Sequence, residues 1–174
     1  MKAEKNQIIE FTLLFNKHKR RVYNYALKML GDKMHADDIV QDVFIKLFEH
    51  LNSIQNRQSV QFWLFKTARN EILGFYRNTK NKKLITNSVD INEVEIETPL
   101  LLADEIENKE LNKLILTELD LMNEDFKEVF VLKEYSGLSY KEIASLLETD
   151  ENLVKSRLYK ARQKLVSKIS KLVE

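Results

Sequence analysis

The sequence predicts an all-α protein of two small helical domains joined by an acidic linker, and three observations carry that prediction. Its 174 residues include only three glycines and one proline, too few breakers for a sheet protein with many tight turns. Apolar residues recur at three- and four-residue spacing through most of the chain, the period of a helix that buries one face. That period fails once, between Leu84 and about Leu102, where acidic and aliphatic residues alternate and the single proline, Pro99, follows.

In order along the chain, Ile9, Leu13, Val22, Ala26, Met29 and Leu30 trace a first helix as far as Gly31, a residue suited to ending it. Met34–Leu51 is a second helix, with Ile39, Val40, Val43, Phe44, Leu47 and Leu51 on one apolar stripe. Asp37 and Asp38 are expected in its first turn, where the helix dipole favours negative charge. The polar stretch Asn52–Ser59 breaks the pattern. Phe62, Trp63, Phe65, Ala68, Ile72 and Phe75 or Tyr76 then carry a third helix into the basic tail Arg77–Lys83, with Phe62 and Phe65 expected in the core. Residues 1–83 make the first domain.

Residues 84–110 read as a flexible acidic tether, because a strand there would have no neighbour to pair with. Helical pattern resumes near Asp104, and residues 111–174 make the second domain. Phe126, Val129, Phe130 and Leu132 mark a helix that Ser136–Gly137 ends. Ser139-Tyr-Lys-Glu142 has the spacing of a capping box, in which hydroxyl and carboxylate each accept the other residue's amide. A short helix to Leu147, the segment Glu148–Glu151 and a last helix from about Asn152 to Leu172 complete the pattern of a helix-turn-helix.

Charge is divided along this layout. Residues 1–80 hold 14 Lys and Arg against 8 Asp and Glu, residues 81–110 hold 3 against 8, and residues 111–174 hold 11 against 11. Between Lys155 and Lys171 there are seven basic residues and no acidic one. Two basic regions separated by an acidic one, under a net charge of +1, suit a nucleic-acid partner. The absence of cysteine excludes disulfide scaffolds, thiolate metal sites and thiol nucleophiles. His18, His35 and His50 do not form a zinc-type pair, and no Gly-rich phosphate loop or nucleophile elbow is present. Catalysis, metals and cofactors are therefore not expected. The start has no apolar stretch of signal-peptide length, and no apolar run approaches the ~18 residues of a membrane span, so the expected location is the cytoplasm.

Three surfaces follow from helical phase. In the last helix Val154, Leu158, Ala161 and Leu165 face inward, which turns Asn152, Ser156, Tyr159, Lys160 and Gln163 outward and leaves Lys155 and Arg157 on the flanks. Cations and amides on such a helix suit phosphates and base edges in a major groove. On the second helix Asp38, Gln41, Asp42, Ile45 and Glu49 form a mixed polar and acidic face suited to a protein. On the third, Trp63, Lys66, Arg69, Asn70, Arg77 and Lys80 interleave a ring, an amide and cations, as unpaired DNA requires. A solvated charged face is the plain alternative for the first two, and core packing is the alternative for most of the aromatics.

Three segments, taken in order, resemble the bacterial sigma-70 family of transcription initiation factors, in its extracytoplasmic-function (ECF, group IV) branch. They are Ala36–Phe48 (ADDIVQDVFIKLF), Phe62–Asn70 (FWLFKTARN) with Tyr76-Arg77, and Phe126–Leu165 with GLSYKEIA at 137–144 and VKSRLYKAR at 154–162. The resemblance implies that the first grips the clamp helices of core RNA polymerase, that the second melts and reads the −10 promoter element, and that the third reads the −35 duplex. It also implies a base flipped from the −10 strand and held by Asn70 and the Asn52–Ser59 loop, and an anti-sigma factor as a further partner. Gly74, Glu148, Asp150 and Leu153 depart from the family pattern, which commonly has Asp, Gly, Pro and Thr there. A stand-alone helix-turn-helix regulator acting on duplex operator DNA is the competing function, and a protein-interaction adaptor without DNA binding is a second.

Overall fold

Gly31 sets the first reversal of the chain: at φ +69° it takes a left-handed conformation and donates its amide to the Leu27 carbonyl at 2.8 Å. The computed structural model describes residues 2–83 and 105–173, with side chains over 4–80 and 109–171, and the chain divides into two units. Residues 84–104 of the expected linker lie outside the described residues. No strand occurs among the described residues, and none of their helices is long and apolar enough to cross a membrane.

The first unit packs three helices, α1 (Lys2–Leu30), α2 (Lys33–His50) and α3 (Val60–Lys83). Asp32, in extended conformation, caps α2 by accepting the His35 amide at 2.8 Å, a bond that holds its carboxyl below the usual carboxylate range. The cap thus lies earlier than expected, and Asp37 and Asp38 fall outside the first turn. Val22, Ala26 and Met29 of α1 are buried, as are Ile39, Val40, Val43, Phe44 and Leu47 of α2. Tyr25 and Phe65, both fully buried, meet edge to face at 5.7 Å and lock α1 against α3. Tyr76 adds a hydroxyl bond to the Met29 carbonyl, and Lys46 of α2 pairs with Glu71 of α3.

Two residues of the expected apolar stripe are not in this core. Ile9 is 51% exposed and Leu13 is 67% exposed, because α1 instead turns Phe11 and Phe15 toward α2, where their rings approach Phe44. Phe65 is buried as expected, whereas Phe62 is only half-buried. The Asn52–Ser59 stretch forms two short 3-10 turns, Leu51–Ser53 and Arg57–Ser59. Gly74 lies within α3 and costs about 1 kcal/mol relative to Ala. A Cβ there would meet only Arg77 Nη2, at 3.9 Å, so packing does not require the glycine.

The second unit contains α4 (Glu105–Asp120), α5 (Glu124–Phe130), a π-helical turn (Val131–Tyr135), α6 (Tyr140–Leu146) and α7 (Glu151–Val173). α4 begins inside the segment 84–110, close to where the periodicity resumes. The Asn123 side chain caps α5, and buried Lys127 reaches back to Asp120 at 2.7 Å, joining α5 to the end of α4. The capping box is formed: Glu142 donates its amide to Ser139 Oγ at 3.1 Å, and Ser139 donates its amide to Glu142 Oε2 at 2.7 Å.

Between α6 and α7, Glu148 takes φ +54°, a left-handed conformation unfavourable for any residue with a Cβ. Its amide reaches Ser145 O and the Thr149 amide reaches Ala144 O, the paired bonds of a Schellman turn. Asp150 then caps α7 by accepting the Leu153 amide at 2.8 Å, so α7 starts at Glu151. Val154, Leu158, Ala161 and Leu165 are buried, as their spacing predicts.

Two predictions follow from these backbone and burial features. Glu148→Gly should stabilise the second unit by about 0.5–1 kcal/mol, the relief of left-handed strain less the entropy glycine gains when unfolded. A denaturation midpoint no higher than that of the parent would contradict the strain at this turn. His18 is 3% exposed, its Nδ1 has no hydrogen-bond partner, and burial together with Lys17 and Arg21 lowers its pKa below the ordinary 6.5. The unfolded chain therefore binds the proton more readily than the folded one. The contribution of neutral His18 is complete above the unfolded pKa and is lost as the pH falls below 6.5. His18→Leu should flatten urea stability between about pH 7.5 and about pH 5.5, and an unchanged slope would remove His18 as its source.

Candidate nucleic-acid and protein interfaces

The apolar stripe of α2 turns Asp38, Gln41, Asp42, Ile45 and Glu49 to the exterior, and all five are exposed. Asp38, Gln41, Ile45 and Glu49 border a groove of about 640 Å³ between α1 and α2, lined also by Phe11, Phe15, Phe44 and Phe48. Phe11 and Phe48 approach at 5.3 Å and Phe15 and Phe44 at 4.9 Å, both edge to face. Ile45 is 52% exposed and Phe48 39% exposed. Exposed apolar groups ringed by carboxylates suit a protein partner and would repel a phosphate backbone. Sequence reasoning found the acids but not the aromatic groove. Its local signal was two i,i+4 phenylalanine pairs, 11 with 15 and 44 with 48.

On α3 the residues expected to meet DNA separate into two sets. Trp63, Lys66, Asn70 and Arg77 fall within about 60° of arc on the outer face. Lys66, Asn70 and Arg77 are exposed, and Trp63 is half-buried, with its ring 6.2 Å from that of His50. Trp63 is thus held on one side and open on the other, which suits a stacking platform. Arg69 and Lys80 step round toward the side of Tyr76, and Arg69 is half-buried while Lys80 is exposed.

Arg57 shapes the loop beside this face. Its guanidinium donates to Leu51 O at 2.7 Å, to Ile54 O, and to Glu10 Oε2 of α1 at 2.9 Å. Ser53 Oγ donates to His50 O at 2.7 Å, and Asn56 Oδ1 accepts the Gln58 amide at 2.9 Å. The loop that resemblance assigns to a flipped base is therefore folded by its own side chains. Arg57 was not singled out from sequence, where it reads only as one cation in a polar stretch.

The outer face of α7 is as expected for Asn152, Lys155, Ser156, Tyr159, Lys160 and Gln163, all exposed. Arg157 differs. It is half-buried and donates through Nη2 to Asp125 Oδ2 of α5 at 2.8 Å, so its charge is already committed within the unit. Arg162 likewise donates through Nε to Glu134 Oε1 at 3.0 Å, which raises its pKa. Lys155 lies 5.5 Å above the Tyr140 ring and 4.0 Å from Glu151, close to its own helix.

Arg57→Ala should release the loop, seen as faster amide exchange over residues 51–59, with unchanged helical content. Exchange equal to that of the parent would deny Arg57 this role.

The Sigma-70 region 2 family matches residues 14–82, and the Sigma-70 region 4 family matches residues 112–165. The chain is 30% identical to the ECF RNA polymerase sigma factor SigM of Bacillus subtilis (strain 168), over 87% of this chain and 90% of that one. It is 25% identical to the ECF RNA polymerase sigma-E factor of Haemophilus influenzae, over 94% of this chain and 89% of that one. In fold it resembles the sigma factor RpoE from Bartonella quintana, crystallised with the anti-sigma factor NepR. That likeness has a TM-score of 0.78 at 22% identity and covers 92% of this chain and 97% of that one. CnrH, solved with the cytosolic domain of CnrY, is similar over 92% of this chain and 87% of that one, at 22% identity and a TM-score of 0.66. Two family matches in the order of the two helical units, and relatives that extend over nearly the whole chain, establish that this protein belongs to the sigma-70 family of RNA polymerase sigma factors, in its ECF branch.

Proposed function

We propose that the three surfaces divide the work of transcription initiation among them. As a sigma factor the chain binds core RNA polymerase, directs it to promoters through −10 and −35 elements, and assists opening. The acidic exterior of α2, with Asp38, Gln41, Asp42, Ile45 and Glu49, is our candidate for the polymerase clamp helices, and the adjoining aromatic groove extends it. The observation that carries this assignment is the exposure of Ile45 and Phe48 among carboxylates, a combination that fits protein and disfavours DNA.

The outer face of α3 takes the opened −10 strand. Extruding a base costs a few kcal/mol, which stacking on Trp63, the Asn70 amide and phosphate contacts from Lys66, Arg77 and Lys80 offset. Arg69 supports this set from the flank. α7 enters the −35 major groove with Asn152, Ser156, Tyr159, Lys160 and Gln163, while Lys155 approaches phosphates from the side. Arg157 reaches DNA only by leaving Asp125, which makes Lys160 the stronger candidate for a base contact. The domain limits proposed are 1–83, 84–110 and 111–174, with α4 beginning before the last of these. The polymerase performs the phosphodiester chemistry, and this chain contributes no catalytic group, metal or cofactor. The cytoplasm, where core polymerase is found, is the proposed location. An anti-sigma factor is a proposed partner, supported by the complex with an anti-sigma factor in which RpoE was solved.

Transcription with purified core polymerase, on a promoter selected by the holoenzyme from a randomised pool, tests this division. Reversing Asp38 and Asp42 to Lys should weaken association with core at least about tenfold, a cost of 1.4 kcal/mol or more. Helical content and binding of the isolated chain to duplex DNA should not fall. Undiminished co-elution with core would move the polymerase contact off this face.

A further inference from the structure

A large share of the positive charge of the first unit lies on α1, a helix that neither of the proposed DNA surfaces uses. α1 carries Lys2, Lys5, Lys17, Lys19, Arg20, Arg21 and Lys28 against only Glu4 and Glu10. α3 carries Lys66, Arg69, Arg77, Lys80, Lys82 and Lys83 against Glu71, and the exterior of α2 is acidic. The excess on α1 therefore equals that on the helix assigned to DNA.

Packing determines where that charge points. Arg21 Nη1 donates to Gln61 Oε1 of α3 at 2.7 Å, Tyr25 meets Phe65, and Tyr76 bonds the Met29 carbonyl. These contacts run from one end of the shared interface to the other and define the side of α1 that faces α3. At ~100° per residue, Lys17 lies about 40° and Lys28 about 20° from Arg21 on that side, with Arg20 further out toward solvent. On α3, Arg69 and Lys80 lie about 20° and about 40° from Tyr76, on the side that faces α1. The two sets of cations therefore border one seam.

Lys17 and Arg20 are exposed, and neither makes an ion pair among the described residues. Lys19 is different: it sits 5.1 Å above the Phe15 ring and lines the groove on the α2 side. Between Leu14 and Lys28 the exposed side chains are Asn16, Lys17, Lys19 and Arg20, none of which offers a ring to stack on a base. Such a surface matches phosphates and not base faces.

We propose that Lys17 and Arg20 of α1, flanked by Arg21 and Lys28, hold the phosphodiester backbone of promoter DNA along the α1–α3 seam, beside the bases engaged by α3. The contact is independent of base sequence and adds affinity where the DNA crosses from duplex to opened strand. It rests on the placement of the −10 element on α3. It differs from that placement by using a face of α1 with no exposed ring to stack on a base.

The test uses holoenzyme assembled from purified core with the wild-type chain or with a Lys17→Ala, Arg20→Ala variant. Each is titrated over a salt series onto a labelled promoter duplex selected by wild-type holoenzyme, and onto the same promoter pre-melted across the −10 element. Each lost phosphate contact lowers the magnitude of the slope of log affinity against log salt by about 0.9 on duplex or about 0.7 on single strand. The double variant should lose up to about 1.8 on the duplex, equally for promoters with altered −10 sequence, and its affinity for core should not change. A loss confined to the pre-melted template supports the contact and assigns it to the unpaired strand. The charge-conserving Lys17→Arg, Arg20→Lys variant should restore the slope. Unchanged slopes on both templates would overturn the α1 contact while leaving the α3 assignment standing. Failure of wild-type holoenzyme to select any promoter would overturn the placement on α3 and the α1 contact together.

Discussion

A helix can bury one stripe, and burying it fixes the direction of every other side chain on that helix. In the second unit, Val154, Leu158, Ala161 and Leu165 of α7 are 5% exposed or less. Rotating α7 by a third of a turn would expose several of these aliphatic side chains, at about 1.5–3 kcal/mol for each large one. That cost holds Lys160, Tyr159 and Gln163 in the outward phase without any contact of their own. The same constraint acts on α2, where burial of Val43 and Leu47 forces Asp42, Ile45 and Glu49 outward. The exterior side chains of these helices are aimed by the apolar residues behind them.

Polar contacts do a different job, which is to fix the joints. Asp32 and Asp150 cap the helices that follow tight turns, and Ser139 with Glu142 sets the start of α6. Arg57 folds a loop that has few buried apolar groups of its own. Glu148 is the costly joint: it takes a left-handed conformation to complete the turn between α6 and α7 without being glycine. Its strain is tolerated because the Schellman bonds and the Asp150 cap act on both sides of it.

What was legible in the sequence follows from the range of the interactions. The capping box, the α7 stripe and the end of α1 at Gly31 depend on residues within one or two turns, so spacing alone specifies them. The aromatic groove depends on Phe11 meeting Phe48, and the loop depends on Arg57 meeting Glu10, pairs far apart in the chain whose members look ordinary locally. The Arg157–Asp125 pair was not legible for the same reason: only the packing of α5 on α7 brings Asp125 to Arg157. Ile9 and Leu13 kept the right period but lie on the wrong side of α1, because the phenylalanines two residues on, about 160° round the helix, are the ones that meet α2. Periodicity gives the phase of a stripe only when one stripe dominates.

The near-neutral total charge is itself informative once these phases are known. A protein that must hold another protein and DNA at once gains from keeping the two signs on different helix faces. At physiological ionic strength fields decay over about 8 Å, less than the diameter of one helix with its side chains. Carboxylates on the exterior of α2 and cations on the outer faces of α1 and α3 are therefore screened from one another, so each attracts its own partner. The acidic face also repels phosphate from the apolar groove it borders, which keeps DNA off the surface that fits protein. Net charge would predict weak binding to anything. The separation of charge by helical phase, enforced by the core, is the arrangement that the two proposed partners of this small unit require.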